Sequence, residues 1–141
     1  MRRGLTILEL SGVLAIIAII TAICVPVYDV IVRRARAGEA EAMLHAIAHA
    51  EQRHYRDHGA YLACDPEPEL AANPGRFPSD APCWRQLGIQ LDGDVLYRYA
   101  VAMVDGTFEV TAVGDLDRDG LTSRFTLHGS DLEVEIEDGL E

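Results

Sequence analysis

Lysine is missing from this chain altogether: its 12 basic residues are all arginines. Isopeptide cross-links through a lysine amine are therefore excluded. Aromatic residues make up only 6% of the 141 positions, too few to suggest stacking on nucleic-acid bases or a chain of rings for electron transfer. Cysteine is scarce as well, at positions 24, 64 and 83 only. No second close cysteine pair accompanies Cys64 and Cys83, which argues against zinc. No nucleophile elbow, phosphate loop or cofactor fingerprint occurs, so the chain reads as a non-enzyme that requires no cofactor. The last absence is the most informative. From Leu10 to Tyr28, 19 residues carry no charge at all, enough to cross a bilayer as a helix.

A single carboxylate, Glu9, stands at the threshold of that run, after Met1-Arg2-Arg3-Gly4 and Leu5-Thr6-Ile7-Leu8. A charge at the edge of a membrane span is costly unless something answers it. The short basic leader, Gly4, and an acid at the fifth position counted from Leu5 resemble the class III signal of type IV pilins and of type II secretion pseudopilins. Pro26 stands at the twenty-second position on the same count, where that family has its helix-kinking proline. Leu5 replaces the usual phenylalanine, and Ser11-Gly12 replaces a bulkier apolar pair.

The resemblance covers about the first thirty residues. It implies cleavage after Gly4 by a prepilin peptidase and assembly through the N-terminal helix, with Glu9 pairing to the α-amino group of Leu5 in a neighbouring subunit. It also implies partners: related pilin subunits and the inner-membrane assembly machinery. The precursor is then expected in a bacterial inner membrane with its C-terminal part in the periplasm, and the mature chain in a periplasmic or extracellular filament. The alternatives are a pseudopilin of a type II secretion system, or an uncut single-span anchor carrying a periplasmic binding or sensor domain. A conventional secretory signal would have a shorter apolar core. The arginines do not orient the span, because Arg2 and Arg3 flank one end while Arg33, Arg34 and Arg36 flank the other.

Net charge is −11, becoming −13 if Arg2 and Arg3 are removed with a leader. The acids concentrate after residue 56. Such a surface repels nucleic acid and anionic head groups, so direct nucleic-acid binding is not expected. Cys24 lies in the apolar run and reads as a small packing residue. In an exported domain Cys64 and Cys83 would be joined as a disulfide; in a cytosolic one they would be free buried thiols.

The expected organisation is a leader at 1–4, a membrane or filament-core helix at 5–32 and a globular part at 33–141. Residues 35 to 58 are rich in Ala, Glu, Arg and Leu, good helix formers. Ala40, Met43, Leu44, Ile47 and Tyr55 fall near one face, with Glu41, His45, His49, Gln52 and Arg56 opposite. Gly59 is a stop signal. A helix from Leu5 to His58 would be about 80 Å long. Pro66, Pro68, Pro74, Pro78 and Pro82 make residues 59–94 read as an irregular connection, anchored by Phe77 and Trp84.

Beyond it, Val95–Val104 reads as one apolar strand, and apolar and polar residues alternate around Phe108, Val110 and Ala112, around Phe125 and Leu127, and around Leu132, Val134 and Ile136. Asp105-Gly106 is a hairpin signal. The fold class is α+β: a long N-terminal helix whose second half covers one face of a four-stranded antiparallel sheet at 95–137. The resemblance implies the same fold.

Two further groups invite a ligand. In Gly114-Asp115-Leu116-Asp117-Arg118-Asp119-Gly120 the acids alternate as in the first half of an EF-hand loop. Asp115, Asp117 and Asp119, with the Leu121 carbonyl and Ser123, could hold calcium. Thr126 stands where the usual bidentate Glu would be, and a plain Asp-rich turn explains the pattern equally well. His45/His49 and His54/His58 have the i, i+4 spacing of a helical metal grip. No general base accompanies them, and solvation of the first pair and hydrogen bonding of the second to the following loop are the simpler expectations.

Overall fold

A computed structural model describes residues 6–68, 75–115 and 122–137. The chain divides into two compact units, residues 1–35 and 36–141. One helix, α1 (Ile7–His58), contributes to both.

In the first unit α1 carries no charge from Leu10 to Tyr28. Leu10, Leu14, Ile17, Ile20 and Ile31 are each more than half exposed, and an 18-residue window reaches a mean hydropathy of 2.6. Such a helix is long and apolar enough to cross a membrane near the N-terminus. Its hydroxyls are turned inward: Ser11 donates to the Leu8 carbonyl at 2.9 Å and Thr21 to Ile17 at 2.8 Å. Both polar groups are thus answered within the helix, as hydrocarbon surroundings demand. The helix continues through Pro26.

In the second unit α1 buries one stripe: Ala37, Ala40, Met43, Leu44, Ile47, Ala48 and Glu51. Glu41, His45, His49 and Arg56 are exposed. Tyr55 departs from the expected stripe and is 46% exposed. It lies near the end of α1, where its ring stacks on Tyr61 at 4.5 Å.

The covered sheet is antiparallel and has five strands, in the order β1-β4-β5-β6-β7. They are β1 (Cys64–Glu67), β4 (Arg98–Val104), β5 (Thr107–Gly114), β6 (Ser123–His128) and β7 (Val134–Glu137). The fifth strand corrects the expected four. It is β1, from the proline-rich connection. Proline cannot donate to a ladder, so Pro66 is admissible only on an edge or at a bulge. β1 satisfies both conditions: it is an edge strand, and its register with β4 shifts between Cys64 and Glu67.

The rest of the connection also carries structure. β2 (Gly75–Arg76) pairs with β3 (Asp94–Val95), so Val95 belongs to this ribbon and not to β4. Between them lies a short helix, α2 (Pro82–Leu87), with proline in its first turn and Gly88 at φ 72° closing its C-terminus.

Alternation along β5 is complete: Phe108, Val110 and Ala112 are buried and Thr107, Glu109, Thr111 and Val113 only partly so. Asp105 and Gly106 both have positive φ, 48° and 81°, as a two-residue hairpin turn requires. On β7 the alternation is looser, with Ile136 44% exposed at the sheet edge. Phe108, Phe125, Leu127, Tyr97 and Tyr99 pack beneath the helix stripe, and Phe77 meets Trp84 edge-on at 5.2 Å. Gly114 fits here for lack of a side chain. A Cβ would lie 2.8 Å from the Tyr97 ring and 2.9 Å from the Leu96 carbonyl oxygen.

Candidate functional site

The N-terminal threshold of α1 is organised by two side chains. The Thr6 amide and hydroxyl both donate to Glu9 Oε2 at 2.9 Å, and the Glu9 amide donates back to the Thr6 hydroxyl at 3.3 Å. This is a capping box: Thr6 is the N-cap, Glu9 the third helical residue, and each answers a backbone donor that the helix cannot. The sequence T-x-x-E ahead of an apolar run carries that signal, so the box could have been found without coordinates. The acid is also placed where the helix dipole favours it. Glu9 Oε2 is fully engaged, while Oε1 makes no hydrogen bond among the described residues. Of the expected processing residues, Gly4 and Leu5 lie outside the described residues. Pro26 is described only as part of the helix.

In the globular unit Cys64 and Cys83 form a disulfide, with Cα atoms 5.6 Å apart and a separation of 19 positions in sequence. It joins edge strand β1 to helix α2. Cys24 is free and exposed on the apolar helix.

Two acids absent from the sequence-based candidates do structural work. Glu39 Oε1 accepts the Leu96 amide at 2.7 Å and the Tyr99 hydroxyl at 3.4 Å. Burial, together with the Glu39 charge, pushes the Tyr97 and Tyr99 hydroxyls well above the usual tyrosine range. Glu51 is fully buried, and its Oε2 accepts the Leu62 amide at 3.0 Å. Burial raises its pKa, opposed by the Leu62 hydrogen bond and by attraction to His54. The available signal was an acid continuing the apolar stripe, four residues after Ile47.

The Asp loop is described only at its ends. Asp115 follows β5, and Ser123 is buried at the start of β6, in register with Gly114. Asp117, Asp119 and Leu121 lie outside the described residues. Among the described residues no three His, Cys, Asp or Glu side chains gather as metal ligands. His45 and His49 are exposed. His54 and His58 stack at 4.2 Å, and each uses Nδ1 on a backbone carbonyl, Ala60 at 2.9 Å and His54 at 3.2 Å respectively.

The last turns of α1 and Tyr61 form an open cleft of about 570 Å³, lined by His49, Gln52, Arg53, Tyr55, Arg56 and Tyr61. Its floor is aromatic. Tyr55 stacks on Tyr61, which rests on buried Phe108 at 4.9 Å. Arg53 is braced by a hydrogen bond to the Leu87 carbonyl at 3.1 Å.

No family model, no curated protein and no solved structure matches this chain.

Proposed function

We propose that this chain is a structural subunit of a type IV pilus-like filament, cut after Gly4 by a prepilin peptidase and assembled through the apolar half of α1. The observation that carries the reading is the position of Glu9: the lone acid at the head of an uncharged run of 19 residues, directly after Gly4-Leu5-Thr6-Ile7-Leu8. The capping box holds one carboxylate oxygen and leaves Oε1 for the α-amino group of a neighbouring Leu5. In a tight bundle of apolar helices such a pair attracts more strongly than in water, although desolvation offsets part of the gain. The disulfide suits a domain exported to an oxidising compartment. The acidic sheet would face outward and the 5–32 segments inward, and the peptidase and the inner-membrane assembly machinery are the partners this route requires. The filament could equally belong to a type II secretion system as a pseudopilus, because the two share these N-terminal residues.

One observation favours a second reading, an uncut single-span anchor. The Thr6–Glu9 box gives the acid a partner within its own chain, so Glu9 does not need a cut to have a role. Mass spectrometry of the N-terminus in the native host separates the two. A chain beginning at a methylated Leu5 is expected, with Gly4→Val blocking maturation and Glu9→Ala preserving cleavage while reducing filament yield. A chain that keeps Met1, or full filament yield from Glu9→Ala, would remove the proposal.

A further inference from the structure

Charge is divided unevenly along this chain. Residues 59–141 contain 17 of the 23 acids but 5 of the 12 arginines, so residues 1–58 are close to neutral. The cleft on the last turns of α1 sharpens that division, because none of its six lining residues is acidic. His49, Arg53 and Arg56 stand at i, i+4 and i+7 on one ridge, spanning about 10 Å of helix. Arg56 is exposed and makes no ion pair among the described residues, and Arg53 uses one guanidinium nitrogen on Leu87. The tyrosine floor, seated on buried Phe108, fixes the shape of the cleft.

A complementary surface exists elsewhere on the same domain. Glu135 and Glu137 are exposed on edge strand β7, and Glu133, also exposed, directly precedes it. Alternation places Glu135 and Glu137 on one face of the strand, about 7 Å apart. Val134 and Ile136 share register with Leu127 and Phe125 of the face that α1 covers, so Glu135 and Glu137 belong to the opposite face. One of them, Glu135, lies 3.7 Å from His128; Glu133 and Glu137 make no side-chain ion pair among the described residues. The cationic cleft and the acid row are thus on opposite sides of one sheet and cannot meet within one chain.

We propose that the cleft of one copy receives the β7 acid row of a second copy. The contact joins two different surfaces, so it is heterologous and leaves an unused half at each end, the kind of contact that propagates into a chain of subunits. Arginine forks suit carboxylates, and these acids facing Arg53, Arg56 and His49 would offset locally the repulsion between two net-negative copies. The inference deepens the filament reading by naming what the globular part would touch.

Absence of lysine supplies the test. Arg56→Lys puts the sole side-chain amine of the protein into the cleft, leaving the α-amino group as the only other amine. Full-length Arg56→Lys protein, half of it ¹⁵N-labelled, is assembled in lipid bilayers, treated with a carbodiimide and digested for mass spectrometry. Coupling between labelled and unlabelled copies, from position 56 to Glu133, Glu135 or Glu137, is expected. Its yield should fall several-fold when these three are changed to Gln, and also in about 1 M salt, where the screening length is about 3 Å.

Coupling only to acids of the same copy, coupling between copies at other sites, or no coupling overturns the proposal. So does capture of an added uronic acid by the cleft without coupling between copies, which would make it a sugar site. The N-terminal mass of the same sample is read separately. A chain starting at Leu5 without the cross-link refutes this contact alone, whereas a chain starting at Met1 with the cross-link refutes maturation and leaves the contact standing.

Discussion

Glu51 ties the second half of α1 to the loop that leaves it, and its burial makes the tie sensitive to pH. The perturbation is Glu51→Gln in the fragment from Arg36 to Glu141, one compact unit. The side chain is fully buried, its Oε2 accepts the Leu62 amide, and Oε1 has no hydrogen-bond partner among the described residues. Burial penalises the charged form, so the folded pKa lies above the ordinary value of 4.5. A carboxyl shifted in that direction supports folding in full below its unfolded pKa. The support is lost as pH rises through the folded value, because there the folded state must carry a charge it disfavours.

The loss can be no steeper than about 1.4 kcal/mol per pH unit for one proton. Gln keeps an oxygen for Leu62 and does not titrate. Urea unfolding at half-unit steps from pH 4 to 8 gives the difference in stability between parent and variant. That difference should move against the parent as pH rises from about 4.5, and level off once the folded carboxyl has ionised. Glu51→Ala, which strands the Leu62 amide, should cost about 1–3 kcal/mol throughout. A difference that is flat, or that moves in favour of the parent with rising pH, would refute the reasoning and mean that the Leu62 hydrogen bond and the attraction to His54 together match or outweigh burial.

Reduction of Cys64–Cys83 should lower the stability of the same fragment by about 3 kcal/mol, the loop-closure value for a ring of this size; denaturant titration with and without reductant measures it, and two reactive thiols in the unreduced fragment would remove the bridge. Gly114→Ala should destabilise by about 1–3 kcal/mol, because the new Cβ meets the Leu96 carbonyl oxygen at 2.9 Å as well as the Tyr97 ring; an unchanged thermal midpoint would contradict the tight approach. For the Asp loop, millimolar calcium should raise the fragment's thermal midpoint and chelator lower it, with the shift absent in Asp117→Ala; affinity should be weak, about 10⁻⁴ to 10⁻³ M. Superimposable melts in calcium and chelator would leave an acidic turn.

The long helix was legible because its two halves advertise themselves differently. The first lacks charge over a membrane thickness, and the second repeats Ala40, Leu44 and Ile47 at helical spacing. The strands β5 and β6 were legible from strict alternation, and the turn at Asp105-Gly106 from its residue types. Less visible was β1, because Pro66 masks a strand that only an edge position and a bulge make possible. The site was legible in part: T-x-x-E marks the Thr6–Glu9 box, whereas the cleft needs Tyr61 folded back against Tyr55.

Sequence alone determined what depends on neighbours along the chain: the apolar span, the acid at its threshold, the amphipathic stripe and the alternating strands. Tertiary structure decided what depends on distant segments meeting. It placed Leu96 and Leu62 amides against Glu39 and Glu51, brought Cys64 within reach of Cys83, and set a cationic cleft and an acidic strand on opposite sides of one sheet. Local periodicity fixes which face a side chain occupies, but the partner across that face comes from a part of the chain whose position no local pattern records.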